Sequence, residues 1–294
     1  MKKVTISIPA YNEAATLPVV IKKIKEVMNS QPYQSHIVVV DDGSRDNTSS
    51  VAKQAGAHVI THPKNYGLAE TFRTELKEFL RSDDDVLVHI DADGQYNPED
   101  IPKLLNEIKN GADLVLGNRF LGGIQSMPLL KRWGNRAFSR TISKIIKYKV
   151  GDSQTGFRAF THELAQAIPI TSTHTYTQEQ IIRAVKEKFK VKEVPVFFAK
   201  REGNSRLIKH PFEYAIKAWI NILRIYRDYE PLRFFGRIGV LFVIAGLTLG
   251  SWLIYLFLTQ GRIGHIPITI LTILLIMLGV QVILFGFLAD MRKQ

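Results

Sequence analysis

The sequence predicts an α/β domain on a largely parallel sheet, followed by a two-helix transmembrane hairpin. Three observations carry this prediction. Through residues 1–200, short β-branched runs alternate with segments of helical period; the strand-like runs open into loops rich in Asp, Asn and Gly; and the chain turns almost wholly apolar from Phe234 onward.

The elements follow in order. Val4–Ile8 reads as a first strand ending in PAYNE, Pro9–Glu13, before a helix over Thr16–Asn29. Ile37–Val40 is a second strand, followed by DDGSRDNT, Asp41–Thr48, where Asp and Ser suit a helix cap and Gly43 a turn. His58–Ile60 and the helix Leu68–Arg81 come next. Val86–Ile90 ends in DADGQ, Asp91–Gln95, with Asn97 and Pro98 as cap and first position of a helix over Pro98–Asn110. Leu114–Leu116 is a further strand, and Leu129–Lys147 a further helix. In a parallel sheet the loops after strands gather at one edge, so PAYNE, DDGSRDNT and DADGQ converge on one site.

Past residue 234, Ile238–Leu258 and Ile266–Leu288 each hold no charged side chain. Each is close to the ~20 apolar residues that cross a hydrocarbon core. Arg224, Arg227, Arg233 and Arg237 precede the first span and Arg292 and Lys293 follow the second, with only Arg262 between them. The positive-inside rule then places both ends, and the large N-terminal domain, on the cytoplasmic side of a cell membrane crossed twice. Between the domain and the spans, Phe212, Ile216, Trp219, Ile220 and Leu223 keep helical spacing beside Lys217, Arg224 and Arg227. This segment reads as an amphipathic helix at headgroup level, or equally as a helix packed on the core. The expected division is 1–209, 210–233 and 234–294.

Composition narrows the chemistry. The 294 residues carry a net charge of +12, which favours polyanions or anionic lipid headgroups; nucleic acid is not among the expected partners. There is no cysteine, which excludes disulfides, thiolate zinc sites and thiol nucleophiles. The apolar run after the initial MKK is too short for a signal-peptide core, so the chain is expected to start directly inside a folded domain. Neither GxxxxGK[ST] nor a strand-following GxGxxG occurs, and the eight histidines show no HExxH or comparable spacing and are given no role. Against this background, Asp91 and Asp93 at i and i+2, with Gln95, suit an open site for Mg²⁺ or Mn²⁺ bridging phosphate oxygens.

PAYNE, VVVDDGSRDNT and DADGQYNPEDIP, in this order and spacing, resemble the family 2 glycosyltransferases. GNRF at Gly117–Phe120, MPLLKRWGNR at Met127–Arg136, DSQTGFRAF at Asp152–Phe160 and KREGNSRL at Lys200–Leu207 are similar to the polyprenyl- and dolichyl-phosphate sugar transferases, the dolichol-phosphate mannose synthase group. The resemblance covers roughly residues 3–230. TYTQEQ, Thr175–Gln180, looks closer to archaeal enzymes that start lipid-linked glycans than to the mannose synthases.

The resemblance implies a GT-A (nucleotide-diphospho-sugar transferase) domain with a mixed, mostly parallel sheet. It implies that Pro9, Tyr11, Glu13, Asp41 and Asp42 hold base and ribose, Asp42 above Asp41, and that Asp91, Asp93 and Gln95 bind the metal, Asp93 essentially. Arg119 and Arg132 fall where the family binds the acceptor phosphate, Lys131 and Arg136 competing with Arg132; Arg201, Ser205 and Arg206 lie in a lid over the diphosphate. The implied reaction is inverting transfer of one sugar from GDP-mannose, UDP-glucose or UDP-N-acetylglucosamine to dolichyl or polyprenyl phosphate. A homo-oligomer is compatible with these features. Two other readings are weighed: a processive polysaccharide synthase, which usually carries QxxRW and more spans, and a non-catalytic nucleotide-binding membrane protein, which would not need Asp91, Asp93 and Gln95 together.

Overall fold

In a computed structural model of the chain, the described residues are 3–171, 176–200, 220, 223–224, 226–261 and 266–291. They belong to two compact units, Met1–Pro211 and Phe212–Gln294. Most of the expected juxtamembrane helix, the lid residues Arg201, Ser205 and Arg206, and the flanking charges Arg262, Arg292 and Lys293 lie outside the described residues.

The first unit is a seven-stranded sheet in the order β3-β2-β1-β4-β6-β5-β7. Its strands are β1 (Lys3–Ala10), β2 (Gln34–Asp41), β3 (His58–Thr61), β4 (Val86–His89), β5 (Leu114–Asn118), β6 (Arg158–Thr161) and β7 (Val191–Pro195). The helices between them are α1 (Leu17–Asn29), α2 (Thr48–Gln54), α3 (Leu68–Phe79), α4 (Ile101–Lys109), α5 (Leu129–Ile146), α6 (His162–Ala167) and α7 (Tyr176–Lys186). Pairings are parallel except at β6, which runs antiparallel to both β4 and β5. The sheet is therefore mixed and mostly parallel.

The strand pattern explains the layers. Val4, Ile6 and Ile8 of β1 join Leu17, Val20, Ile21 and Ile24 of α1 and Ile101, Leu104, Leu105 and Ile108 of α4 in one core. Side chains alternate along a strand, so Thr5 and Ser7 occupy the other face of β1. Ser7 is in register with His89 of β4, and on that face Glu75 of α3 bonds His89. The helix expected from Pro98 begins instead as a 3₁₀ turn, Pro98–Asp100, with Asn97 Oδ1 accepting from Glu99 N at 3.3 Å, before α4 starts at Ile101. Pro102 explains the break, since it supplies no amide to carry one helix through.

The second unit contains α8 (Pro231–Gln260) and α9 (Ile266–Met291), both long and apolar enough to cross a membrane. Gly239, Gly246 and Leu253 on α8, and Thr272, Gly279 and Gly286 on α9, are the buried positions at seven-residue spacing. A Cβ on Gly239 would come within 2.5 Å of the Gly279 carbonyl oxygen, so these helices touch backbone to backbone. Close approach through small residues is how helices pack where lipid removes the hydrophobic drive between them. Leu241, Ile244, Leu258, Leu274 and Phe285 are left exposed, as lipid-facing side chains must be.

Candidate active site

Strands β1, β2 and β4 lie side by side, so the loops after them meet at one sheet edge. The first two loops are knitted together. Asn12, at φ 55°, donates its amide to Ser44 Oγ at 2.8 Å and accepts from Arg45 N at 2.7 Å, while Glu13 N donates to Thr48 Oγ1 at 2.9 Å. Pro9 is buried at the end of β1 and Tyr11 half-buried beyond it.

Both aspartates at the end of β2 are engaged inside the chain. Asp41 accepts from Ser44 N and Ser49 Oγ. Asp42 accepts from His62 Nδ1 at 2.8 Å, Tyr66 N at 2.9 Å and Gly67 N at 2.8 Å, fixing the turn into α3. Gly43 makes the turn between β2 and α2 at φ +71°, where a Cβ would strike the backbone of Lys64 at 2.5 Å. A carboxylate offers about four lone-pair directions, so Asp42 retains about one for a ligand.

The third loop holds the acidic pair. Asp93 Oδ1 accepts from Gln95 N at 3.1 Å around Gly94, and the Gln95 amide nitrogen donates to Ala199 O at 3.1 Å. The neighbouring atoms crowd Asp91 although a third of its side chain still meets solvent, and its carboxyl is pushed up to about 6, first by burial and then by the charge of Asp93. Among the described residues no three His, Asp or Glu groups form a complete metal cluster. Two carboxylates and an amide oxygen are a partial set, fitting a hard cation that completes its shell with phosphate oxygens.

Opposite this pair stands Arg119. Its Nε and Nη2 donate to Asp152 Oδ2 and Oδ1 at 2.7 and 2.8 Å, and its guanidinium lies 5.1 Å from the Phe198 ring centroid. Burial opposes its charge, yet Tyr96, the bonds to Asp152 and the charge of Asp91 together raise its pKa. Asp152 is itself placed by Glu193, which accepts from the amides of Gly151 and Asp152 at 3.0 Å.

On α5 the competing cations separate. Arg136 stacks 5.1 Å from the Phe120 centroid, whereas Arg132 has a buried Nε with no hydrogen-bond partner. Arg132, Asn135 and Ser139 share a helical face, and Ser139 Oγ accepts from Ser153 N at 2.9 Å, next to Asp152. Leu129, Leu130 and Trp133 at the start of α5 are exposed.

Two histidines set aside in the sequence reading are part of this region: His62 holds Asp42, and His89 stands 3.9 Å from Asp91. Their signal is not a spacing motif but position: His89 is two residues before Asp91, and its strand is buried throughout. Glu193 and Glu75 carry no sequence signal either, and Asp152 stands in the linear chain only as the first residue of DSQTGFRAF, with no role of its own. The segment Val196–Lys200 links the acidic and basic sides. Ala199 N donates to Gln95 O at 2.7 Å, and Phe198 N to Gly123 O at 2.7 Å.

Comparison with known proteins is consistent with this geometry. The glycosyl transferase family 2 profile matches residues 5–168, and the GtrB C-terminal hairpin profile matches residues 230–291. The glycosyltransferase AglJ of Haloferax volcanii is 29% identical over 290 residues, covering 98% of this chain and 93% of that protein. A dolichyl-phosphate hexose transferase of the same organism is 34% identical over 67% of this chain and 83% of its own length. Among solved structures, glucosyl-3-phosphoglycerate synthase of Mycobacterium tuberculosis, in complex with Mn²⁺, UDP-glucose and phosphoglyceric acid, superposes with a TM-score of 0.59 at 19% identity over 76% of this chain and 79% of that one.

Proposed function

The chain belongs to glycosyl transferase family 2, with a GT-A domain and a GtrB-type hairpin, and from that premise we propose that it transfers a single sugar from a nucleotide-sugar to dolichyl or polyprenyl phosphate. The observation that carries this reading is the pairing of opposite charges across one site. A partial metal set at Asp91, Asp93 and Gln95 faces a firmly protonated Arg119, whose charge and that of Asp91 act on each other.

Asp91, Asp93 and Gln95 would hold Mg²⁺ or Mn²⁺, which when bound neutralises charge on the departing nucleotide diphosphate. The bound Mn²⁺ of the structural neighbour supports that choice. Pro9, Tyr11, Glu13, Asp41 and Asp42 line the nucleotide end. A phosphate monoester carries about −1.5 to −2 charges at neutral pH, so the acceptor needs holding rather than deprotonating. Arg119 and Arg132 are the holders: Arg119 keeps a guanidinium edge turned away from Asp152, and Arg132 has an Nε without a partner.

The lipid phosphate oxygen forms a bond to the anomeric carbon as the bond from that carbon to the diphosphate oxygen breaks, and the configuration inverts. The exposed Leu129, Leu130 and Trp133 beside Arg132 suit an approach by an isoprenoid headgroup. Arg224 and Arg227 before α8, and Arg233 and Arg237 in its first two turns, support a cytoplasmic catalytic domain.

The test is the purified full chain with polyprenyl or dolichyl phosphate, Mg²⁺ or Mn²⁺, and a panel of labelled nucleotide-sugars, followed by lipid extraction. Label entering the lipid phase names the donor; no label from any donor on either lipid contradicts the reading.

A further inference from the structure

Beneath the acidic loop lies a polar chain with no counterpart in the reaction just described. His89 and Glu75 have fully buried side chains, and His89 Nδ1 donates to Glu75 Oε2 at 2.6 Å. The other ring nitrogen, Nε2, lies 3.4 Å from the Tyr176 hydroxyl and 3.9 Å from Asp91 Oδ1. The surroundings are otherwise aromatic: Phe72 meets His89 edge-on at 5.3 Å and Tyr176 at 4.4 Å between centroids.

Asp91 itself makes no side-chain hydrogen bond among the described residues. Its carboxylate is held by walls. On one side is Gly156, where an added Cβ would stand 2.7 Å from Oδ2 and 2.8 Å from Oδ1; on another is the edge of the His89 ring. The ring in turn cannot rotate away, because Glu75 on α3 fixes its opposite nitrogen. This arrangement costs stability, since Glu75 Oε1 is buried without a partner, and an apolar pair of similar volume would fill the space without that penalty.

We infer that Glu75 and His89 are positioning residues for Asp91, setting the rotamer in which it meets the metal and the donor diphosphate. The inference rests on the proposed metal-dependent transfer. Groups beyond the coordinating ring commonly change metal affinity or activity about 10–100-fold.

The experiment uses the full chain in detergent and two variants, E75L/H89F and E75Q. Mn²⁺ affinity is read by electron paramagnetic resonance with UDP and with GDP, beside separate KM and kcat for donor and lipid phosphate. The double variant, which replaces the polar pair by an apolar one, is expected to melt no lower than the wild type. It should bind Mn²⁺ about tenfold more weakly and lose about tenfold in donor kcat/KM, with the KM for lipid phosphate unchanged. E75Q, which keeps the shape of the clamp, should show a smaller loss of the same kind. A folded double variant with wild-type Mn²⁺ affinity and donor kinetics overturns the inference; if that variant does not fold, unchanged Mn²⁺ affinity in E75Q overturns it instead. Failure of the activity reading looks different: the wild type moves no sugar to lipid, while the Mn²⁺ titrations still decide the role of the pair. A wild type that binds no Mn²⁺ with either nucleotide removes both.

Discussion

Arg119 is forked onto Asp152 through two hydrogen bonds of 2.7 and 2.8 Å, with the Asp152 side chain wholly buried and that of Arg119 only 6% exposed. A guanidinium committed along one edge is pre-oriented along the other. The arginine expected to bind phosphate therefore depends on a carboxylate thirty-three positions away in the chain.

Asp152→Ala should damage both stability and acceptor binding. Removing one partner of a buried pair costs about 3–5 kcal/mol, and a loosened Arg119 should raise the KM for lipid phosphate. Urea denaturation and acceptor titration test this. A variant as stable as wild type with unchanged acceptor KM would show that the pair orients nothing.

Asp93→Asn should abolish transfer while leaving the fold intact, because it changes a loop carboxylate rather than core packing. The measurement is sugar transfer alongside circular dichroism. Wild-type turnover in that variant, or turnover of the parent protein in excess chelator, contradicts the metal assignment.

Arg132→Ala separates acceptor from donor. Its Nε has no internal partner to strand, so stability should change little. A lost charge-assisted hydrogen bond of about 1.5–3 kcal/mol corresponds to a rise in acceptor KM of roughly tenfold to a hundredfold. An equal loss for the donor would move Arg132 to the nucleotide side.

The raised pKa of Asp91 makes metal stabilisation pH-dependent. Because its carboxyl is pushed up to about 6 from the ordinary 3.8, the native state holds this proton more tightly than the unfolded chain. Its contribution to stability therefore falls as pH rises from about 4 to 6 and stays low above that. A bound cation favours the ionised form, so the Mn²⁺-induced rise in Tm should be larger at pH 7.5 than at pH 5, and Asp91→Asn should flatten the difference. An equal Tm shift at both pH values contradicts this.

Truncation after Tyr229 should preserve nucleotide and metal binding, since every proposed site group precedes residue 210. It should lose mainly transfer to long-chain lipid in membranes, and a shortened polyprenyl phosphate should partly restore activity. Circular dichroism must show a folded domain. A folded truncation that binds no nucleotide, or one that serves bilayer-embedded lipid as fast as the full chain, contradicts this division of labour.

The features legible in the linear chain are those written in local periodicity and local chemistry. The β-branched runs of β1, β2 and β4, the Asx- and Gly-rich loops after them, and the uncharged stretches of α8 and α9 each announce themselves within a short window. So does the acidic pair Asp91 and Asp93, because its two members stand at i and i+2. Strand β6 does not: RAFT is four residues with a fully buried arginine in place of an apolar run, and only its two antiparallel neighbours make it a strand. The partners of the site residues were hidden for the same reason. His62 lies twenty positions from Asp42, Glu75 fourteen from His89 and Asp152 thirty-three from Arg119. No periodicity relates such pairs; burial brings them together, and the penalty for leaving a buried polar group without a partner decides which atoms meet. The sequence alone thus determined the class of fold, the membrane hairpin and the site's acidic loop. Tertiary structure decided which carboxylates remain open to a ligand and which arginine is already held, because those depend on contacts made only when distant segments share one dry interior.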